Sequence, residues 1–328
     1  MSESRNVKNV VIPILCGSNF NLELIDLSFK NISIMDIQTD VFKDYINKYS
    51  PPEEMGYNYS ELKNIFKDIH GEYDKKFAIV PTDPINNYNE QDIYNAWIIL
   101  LIIHPSDLQI EYELNYYIDG DYLHTSGYSM NHRRFTGDFP GKPLINSEEL
   151  IPEINEFIKR VFMVLSKTDY LGLCIFNYII SYEASHEHYQ FMSLFTALDS
   201  LINNESELQY RLKRGVAILC GSDSKSSDLI FEKVSKLVKL RNDIVHGNEY
   251  AYGNLINYLP HLRTLVSRVI IELLIHNITK QELNDAFKRL GFGQRHLISE
   301  NWKEYTLNTL SELTATWESL PEKIKISK

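Results

Sequence analysis

Residues 240–247 read Leu-Arg-Asn-Asp-Ile-Val-His-Gly, so an arginine, an amide and a histidine fall within one short stretch that a glycine closes. The set suits a phosphodiester. A guanidinium holds phosphate oxygens in pairs and stabilises charge that develops on them, while an imidazole moves protons near neutral pH. Four residues turn a helix by about 400°, so Asn242 and His246 nearly eclipse, whereas Arg241 lies about 140° from His246 and must reach around to join them.

A helix has to carry these groups. From Asp228 the apolar residues Leu229, Ile230, Val234, Leu237, Val238, Ile244 and Val245 recur at three-to-four spacing, which predicts one buried stripe over 226–246. Gly247 suits the left-handed cap that ends such a helix. Arginine and histidine in a last turn are also ordinary capping chemistry, so the hexapeptide alone leaves a helix cap in an unrelated all-helical domain as an alternative.

The surroundings are basic. Residues 208–241 hold eight Lys and Arg against three Asp and Glu, an excess that draws phosphate backbones, although solvated helix faces carry lysines too. Arg211, Arg214 and Lys239 are the members of this patch expected to bind RNA. The charge is split along the chain: residues 1–150 carry 12 basic and 23 acidic residues, and residues 151–328 carry 21 of each. The whole net charge of −11 thus belongs to the first half.

Three blocks in order resemble the HEPN superfamily, and within it the branch related to the ApeA anti-phage proteins. The first is Tyr189 to Leu201, with its Ala197-Leu198-Asp199-Ser200-Leu201 pattern; the second is Leu208 to Leu219, with basic residues before small and apolar ones. The third is Lys236 to Gly247, with its arginine, polar residue and valine-histidine-glycine ending. The likeness covers 188–246 and not the rest of the chain.

The resemblance implies a helical bundle that forms a homodimer, two R-x4-6-H motifs facing each other across the interface. It implies a metal-independent endoribonuclease without cofactor, Arg241 and His246 being catalytic and Asn242 supporting them. In the expected reaction the RNA 2′-hydroxyl attacks the adjacent phosphate, leaving a 2′,3′-cyclic phosphate and a 5′-hydroxyl. Some relatives keep the fold and have lost cleavage, so a catalytically inactive HEPN module that binds RNA or a protein partner stands as the alternative. An antiviral role would add a phage-derived trigger, with the acidic amino-terminal half sensing it or restraining the enzyme.

Composition fits a folded intracellular chain. Hydrophobic residues make up 44% and charged ones 23%, enough for a large core, and 328 residues allow two domains. Cys16, Cys174 and Cys220 are scattered and odd in number, which argues against a disulfide framework or a zinc site and for a reduced cytoplasmic location. No secretory leader is expected at Met1 to Leu15, and the runs Ile98–Ile103 and Leu171–Ile180 are too short to span a membrane.

The expected class is α+β: a β-rich domain over 1–145 followed by an all-α HEPN-like bundle over 146–328. Strands are predicted at Val10–Leu15, Asn21–Phe29, Ile32–Ile37, Phe77–Val80 and Trp97–Ile103, with a hairpin Gln109–Ile118 and Tyr122–Tyr128 around Asp119-Gly120. A lone helix is predicted at Ser60–Ile69 and a linker at Thr136–Asn146. Helices follow from Ser147 towards Leu165 and at 185–203, 207–220, 226–246, 254–278, 280–290 and 300–318.

Other constellations carry less. His186-Glu187-His188 lacks the spacing that puts two zinc ligands on one helix face. Asp119-Gly120-Asp121 is explained by a hairpin tip, and His132-Arg133-Arg134 by an exposed basic loop. The 21 tyrosines could stack bases, but tyrosines in strands more often serve packing.

Overall fold

The computed structural model describes residues 8–16, 21–52, 59–60, 76–106, 108–130, 148–165, 169–202, 207–247 and 255–305. The class is α+β. An antiparallel sheet near the amino terminus is followed by a long run of helices. By internal contacts the chain divides into two compact units, residues 1–98 with 106–159, and residues 99–105 with 160–328. The division is discontinuous, whereas the change of element pattern and the Gly- and Pro-rich stretch before Ser147 suggested one cut at 145/146.

The sheet contains β1 (Asn9–Cys16), β2 (Ile32–Asp36), β3 (Lys76–Pro81), β4 (Gln109–Asp119) and β5 (Tyr122–Met130), ordered β2-β3-β1-β4-β5. β1 and β3 are central and read as near-continuous apolar runs. β4 instead alternates, burying Ile110, Tyr112, Leu114 and Tyr116. β4 and β5 form the expected hairpin, with Asp119 opposite Tyr122 and Gly120 at φ 62° in the loop, a backbone that glycine adopts at no steric cost.

β1 and β3 pair only through Ile14–Cys16 and Lys76–Ala78, and beyond that point the ladder between them stops. Tyrosine hydroxyls complete the exposed backbone there. Tyr88 accepts the Val11 N–H at 3.0 Å, and Tyr45 and Tyr49 donate to the Pro81 and Thr82 carbonyls at 2.8 and 2.9 Å. Tyr45 and Tyr49 belong to α1 (Asp40–Tyr49), whose buried face also holds Phe42 and Ile46 and packs with Val10, Ile12, Ile14 and Val80 in one core. These tyrosines serve packing and backbone satisfaction.

Two predicted strands are not strands. Trp97–Ile103 is the second half of α2 (Glu90–Ile103), since an all-apolar run with no period fits a helix buried all round as well as it fits a strand. Asn21–Phe29 instead holds two short 3-10 turns, Leu22–Leu24 and Ser28–Lys30, entered by Asn21 and left by Asn31, both in the left-handed region. Residues 61–69 of the expected lone helix, the expected linker with the residue after it (136–147), and 306–318 of the expected last helix lie outside the described residues, and 301–305 is not helical.

The helices after the sheet are α3 (Ile151–Leu165), α4 (Asp169–Glu183), α5 (Glu187–Asp199), α6 (Leu208–Cys220), α7 (Ser224–Val245), α8 (Leu255–His276) and α9 (Lys280–Arg289). α8 is buried along nearly its whole length. Its Arg263 is 1% exposed, donates to the Ser181 carbonyl at 2.7 Å and Gln190 Oε1 at 2.9 Å, and stacks on the Tyr182 ring, so it ties α8 to α4 and α5. Cys16, Cys174 and Cys220 are free and buried. Among the described residues no helix is long and apolar enough to cross a membrane.

Candidate active site

α7 starts at a capping box, Asp223 accepting from the Ser226 N–H while the Ser226 hydroxyl accepts from the Asp223 N–H. It buries Ile230, Val234, Leu237, Val238 and Ile244. His246 is its C-cap and Gly247 follows at φ 75°, with the Gly247 N–H on the Ile244 carbonyl at 3.0 Å. Glycine takes that backbone without the Cβ clash other residues meet.

Arg241 follows Leu237 and Val238 at i+4 and i+3, so it continues the buried stripe, and 31% of its side chain remains exposed. The guanidinium does not reach His246. Its Nη2 lies 3.4 Å from Asp199 Oδ2 at the end of α5, and its Nη1 donates to Asn242 Oδ1 at 3.4 Å. Gln209, in the first turn of α6, donates to the same Asn242 oxygen at 3.4 Å. His246 is exposed, and its ring has no hydrogen-bond partner among the described residues.

Three helix ends therefore meet: the last residue of α5, the first turn of α6 and the last turn of α7. Between them opens a cleft of about 700 Å³, lined by Asp199, Glu207, Gln209, Tyr210, Lys213 and Arg241 along with Leu208. The volume is in the range of small-molecule sites. Glu207 caps α6 in the left-handed region, φ 60° and ψ 34°, with no side-chain cap bond, a strained backbone of the kind found at ligand sites. The first amides of α6 point out of the helix beside it.

Tyr210 is half-exposed and its ring is fixed edge-on against Phe231, centroids 6.0 Å apart, while Lys213 Nζ sits 5.5 Å from the same Phe231 centroid. The formal charges on the wall balance, Lys213 and Arg241 against Asp199 and Glu207. Burial pushes the Asp199 carboxyl above its ordinary range; Arg241 pulls it down without cancelling the rise.

Of the residues read from the sequence, Arg241 and Asn242 are brought together and His246 is left at the helix tip. Arg211, Arg214 and Lys239 do not line the cleft. Arg214 donates to the Leu290 carbonyl that follows α9, so its guanidinium is tied into the fold. Lys239 is exposed and two residues from Arg241, which places it about 200° around the helix. Asp199, Gln209, Tyr210 and Lys213 were missed as site residues. Lys213 belongs to the basic excess and Asp199 to the alanine-leucine-acid pattern, so both signals were in the sequence, unattached to Arg241.

His186 is the N-cap of α5 and its ring stacks on that of His188, centroids 5.6 Å apart. Among the described residues no group of three His, Cys, Asp or Glu side chains is arranged to hold a metal ion. The chain matches no known family model, no curated protein and no solved structure.

Proposed function

We propose that the chain is a HEPN-type endoribonuclease whose cleft at the three helix ends receives an RNA phosphate. The observation that carries this reading is Arg241, half-buried on the wall of an open cleft, with an exposed histidine capping the same helix one turn later. Arg241 supplies charge to the phosphorane-like state. His246 takes the 2′-hydroxyl proton, the 2′-oxygen bonds to phosphorus, the bond to the 5′-oxygen breaks, and that oxygen takes a proton. The products are a 2′,3′-cyclic phosphate and a 5′-hydroxyl.

One chain offers one histidine at this tip, and a transfer that removes one proton and delivers another is easier with two. A symmetric homodimer through the helical unit supplies the second. In a bacterial antiviral setting such a nuclease needs restraint, and the acidic first half of the chain fits a sensor released by a phage-derived trigger.

The test is full-length protein incubated with a mixed RNA pool in chelator, with sequencing of the cut ends. Arg241→Ala and His246→Ala should each lose cleavage by about a hundredfold or more. Full activity in folded His246→Ala protein would overturn the mechanism. A second reading, a silent module that binds RNA or a protein partner, is favoured by one observation: Arg241 pairs with Asp199, and among the described residues no hydrogen bond joins it to His246. RNA binding that depends on Arg241, without cleavage of any RNA, would select it.

A further inference from the structure

The Arg241 guanidinium is already occupied, though loosely. It meets Asp199 through one nitrogen and one oxygen at 3.4 Å, whereas strong arginine-carboxylate pairs are bidentate at about 2.7–2.9 Å. The two side chains keep 31% and 29% of their exposure, so a ligand in the cleft can reach both. Asp199 bears its charge in a setting where burial opposes it. Arg241 Nε is buried and finds no hydrogen-bond partner among the described residues. With Asn242 Oδ1 also at 3.4 Å, both contacts of the guanidinium are long, and its outer nitrogens suit a tetrahedral anion, which offers more oxygens than a carboxylate does.

We propose that Asp199 is a competitor built into the cleft: its carboxylate holds the Arg241 guanidinium that a nucleic-acid phosphate must take, so phosphate enters by displacing it. The inference rests on reading the cleft as a nucleic-acid site. It follows that RNA binds more tightly once Asp199 is neutral. The groups facing the pair are Asn242 from α7, Gln209, Tyr210 and Lys213 from α6, and Glu207 at its N-cap. Among the described residues no ion pair joins Glu207 to Arg241, so Asp199 is the carboxylate whose neutralisation frees it.

The experiment uses full-length protein carrying His246→Gln, which slows cleavage, and a labelled single-stranded oligoribonucleotide of mixed sequence read by anisotropy. Affinity is measured at about pH 7.5 and about pH 5.5. Adding Asp199→Asn should tighten binding at the higher pH by about two- to fivefold, the scale of a partly exposed charge pair, and shrink the gain on acidification. Adding Arg241→Ala should weaken binding and abolish that gain. Equal or weaker binding by Asp199→Asn overturns the proposal in favour of a carboxylate that positions Arg241, and failure of every variant to bind overturns it too. Should Asp199→Asn melt early, the comparison of Arg241→Ala with its parent across the two pH values decides alone. Cleavage is assayed separately in chains with His246 intact. An affinity gain without any cleavage sinks the ribonuclease reading and keeps this one, and cleavage without the gain does the reverse.

Discussion

Arg241 and His246 share the end of α7 and face different surroundings: the guanidinium turns inward to Asp199, 3.4 Å away, and the imidazole stands in solvent as the helix cap. The described residues show no hydrogen bond between the two, and a second copy of the chain is the simplest source of a complementary group. If two chains complete the site, Arg241→Ala and His246→Ala proteins, each inactive alone, should regain a measurable fraction of wild-type cleavage after mixing and subunit exchange. Light scattering should report a dimer at micromolar concentration. A strict monomer that still cleaves RNA would remove the need for a second copy.

A second prediction concerns the charges inside the helical unit. Glu272 is 1% exposed and lies between Arg268, in direct ion contact, and Arg295 at 3.3 Å, which also reaches Glu304 at 2.8 Å. Burial lifts the Glu272 carboxyl above its ordinary range even against the pull of both guanidiniums. Glu272→Gln leaves two buried guanidiniums without their shared counter-ion, a loss of about 3–5 kcal/mol on the scale of broken buried pairs. Chemical denaturation measures it. A loss below about 1 kcal/mol would mean that the arginines recover partners or water when the charge is gone.

The end of α7 was legible because its signals are local: a three-to-four apolar stripe, then a glycine that needs positive φ. α1 carries the same kind of signal, with Phe42, Tyr45, Ile46 and Tyr49 on one face. Trp97–Ile103 misled because a helix buried on every side loses its period, and its polar start at Glu90, Gln91 and Asp92 was the mark that could have settled it. What the sequence could not carry is the meeting of Asp199, Gln209 and Arg241. Those residues sit on three helices, and only tertiary packing brings the helix ends together. The same holds for Arg214, whose type and neighbourhood suggested phosphate and whose partner is a backbone carbonyl far along the chain.

A third prediction is a loss of stability in mild acid. His276 is fully buried, its Nδ1 is 2.8 Å from the Ser299 hydroxyl, and burial with the nearby Arg295 and Arg160 lowers its pKa from 6.5 to about 4. The folded state thus binds the proton less readily than the unfolded one. Stability from the neutral ring is fully present above pH 6.5 and drains away as pH falls towards about 4. At about 1.4 kcal/mol per pKa unit the shift corresponds to about 3 kcal/mol. Denaturation midpoints measured across that window should fall, and His276→Gln should flatten the slope. An unchanged slope in a folded His276→Gln chain would assign the acid sensitivity to other groups.

The last prediction separates two glycines that hold α6 in place. A Cβ on Gly215 would come within 2.6 Å of the Phe287 ring on α9, so Gly215→Ala forces that buried ring to move. Overpacking of this kind costs about 1–3 kcal/mol. A Cβ on Gly221, between α6 and α7, would meet the Ser227 hydroxyl at 2.1 Å and its backbone Cα and N at 2.7 and 2.8 Å. Backbone cannot rotate aside as a ring can, and Gly221 has an ordinary φ of −79°, so the clash alone sets the cost. Gly221→Ala should therefore destabilise more than Gly215→Ala in denaturant. On the proposed reading of the cleft it should also weaken RNA binding, because the shifted segment is the start of the helix that carries Arg241. If Gly221→Ala is the milder of the two, the turn into α7 has slack that its close contacts deny.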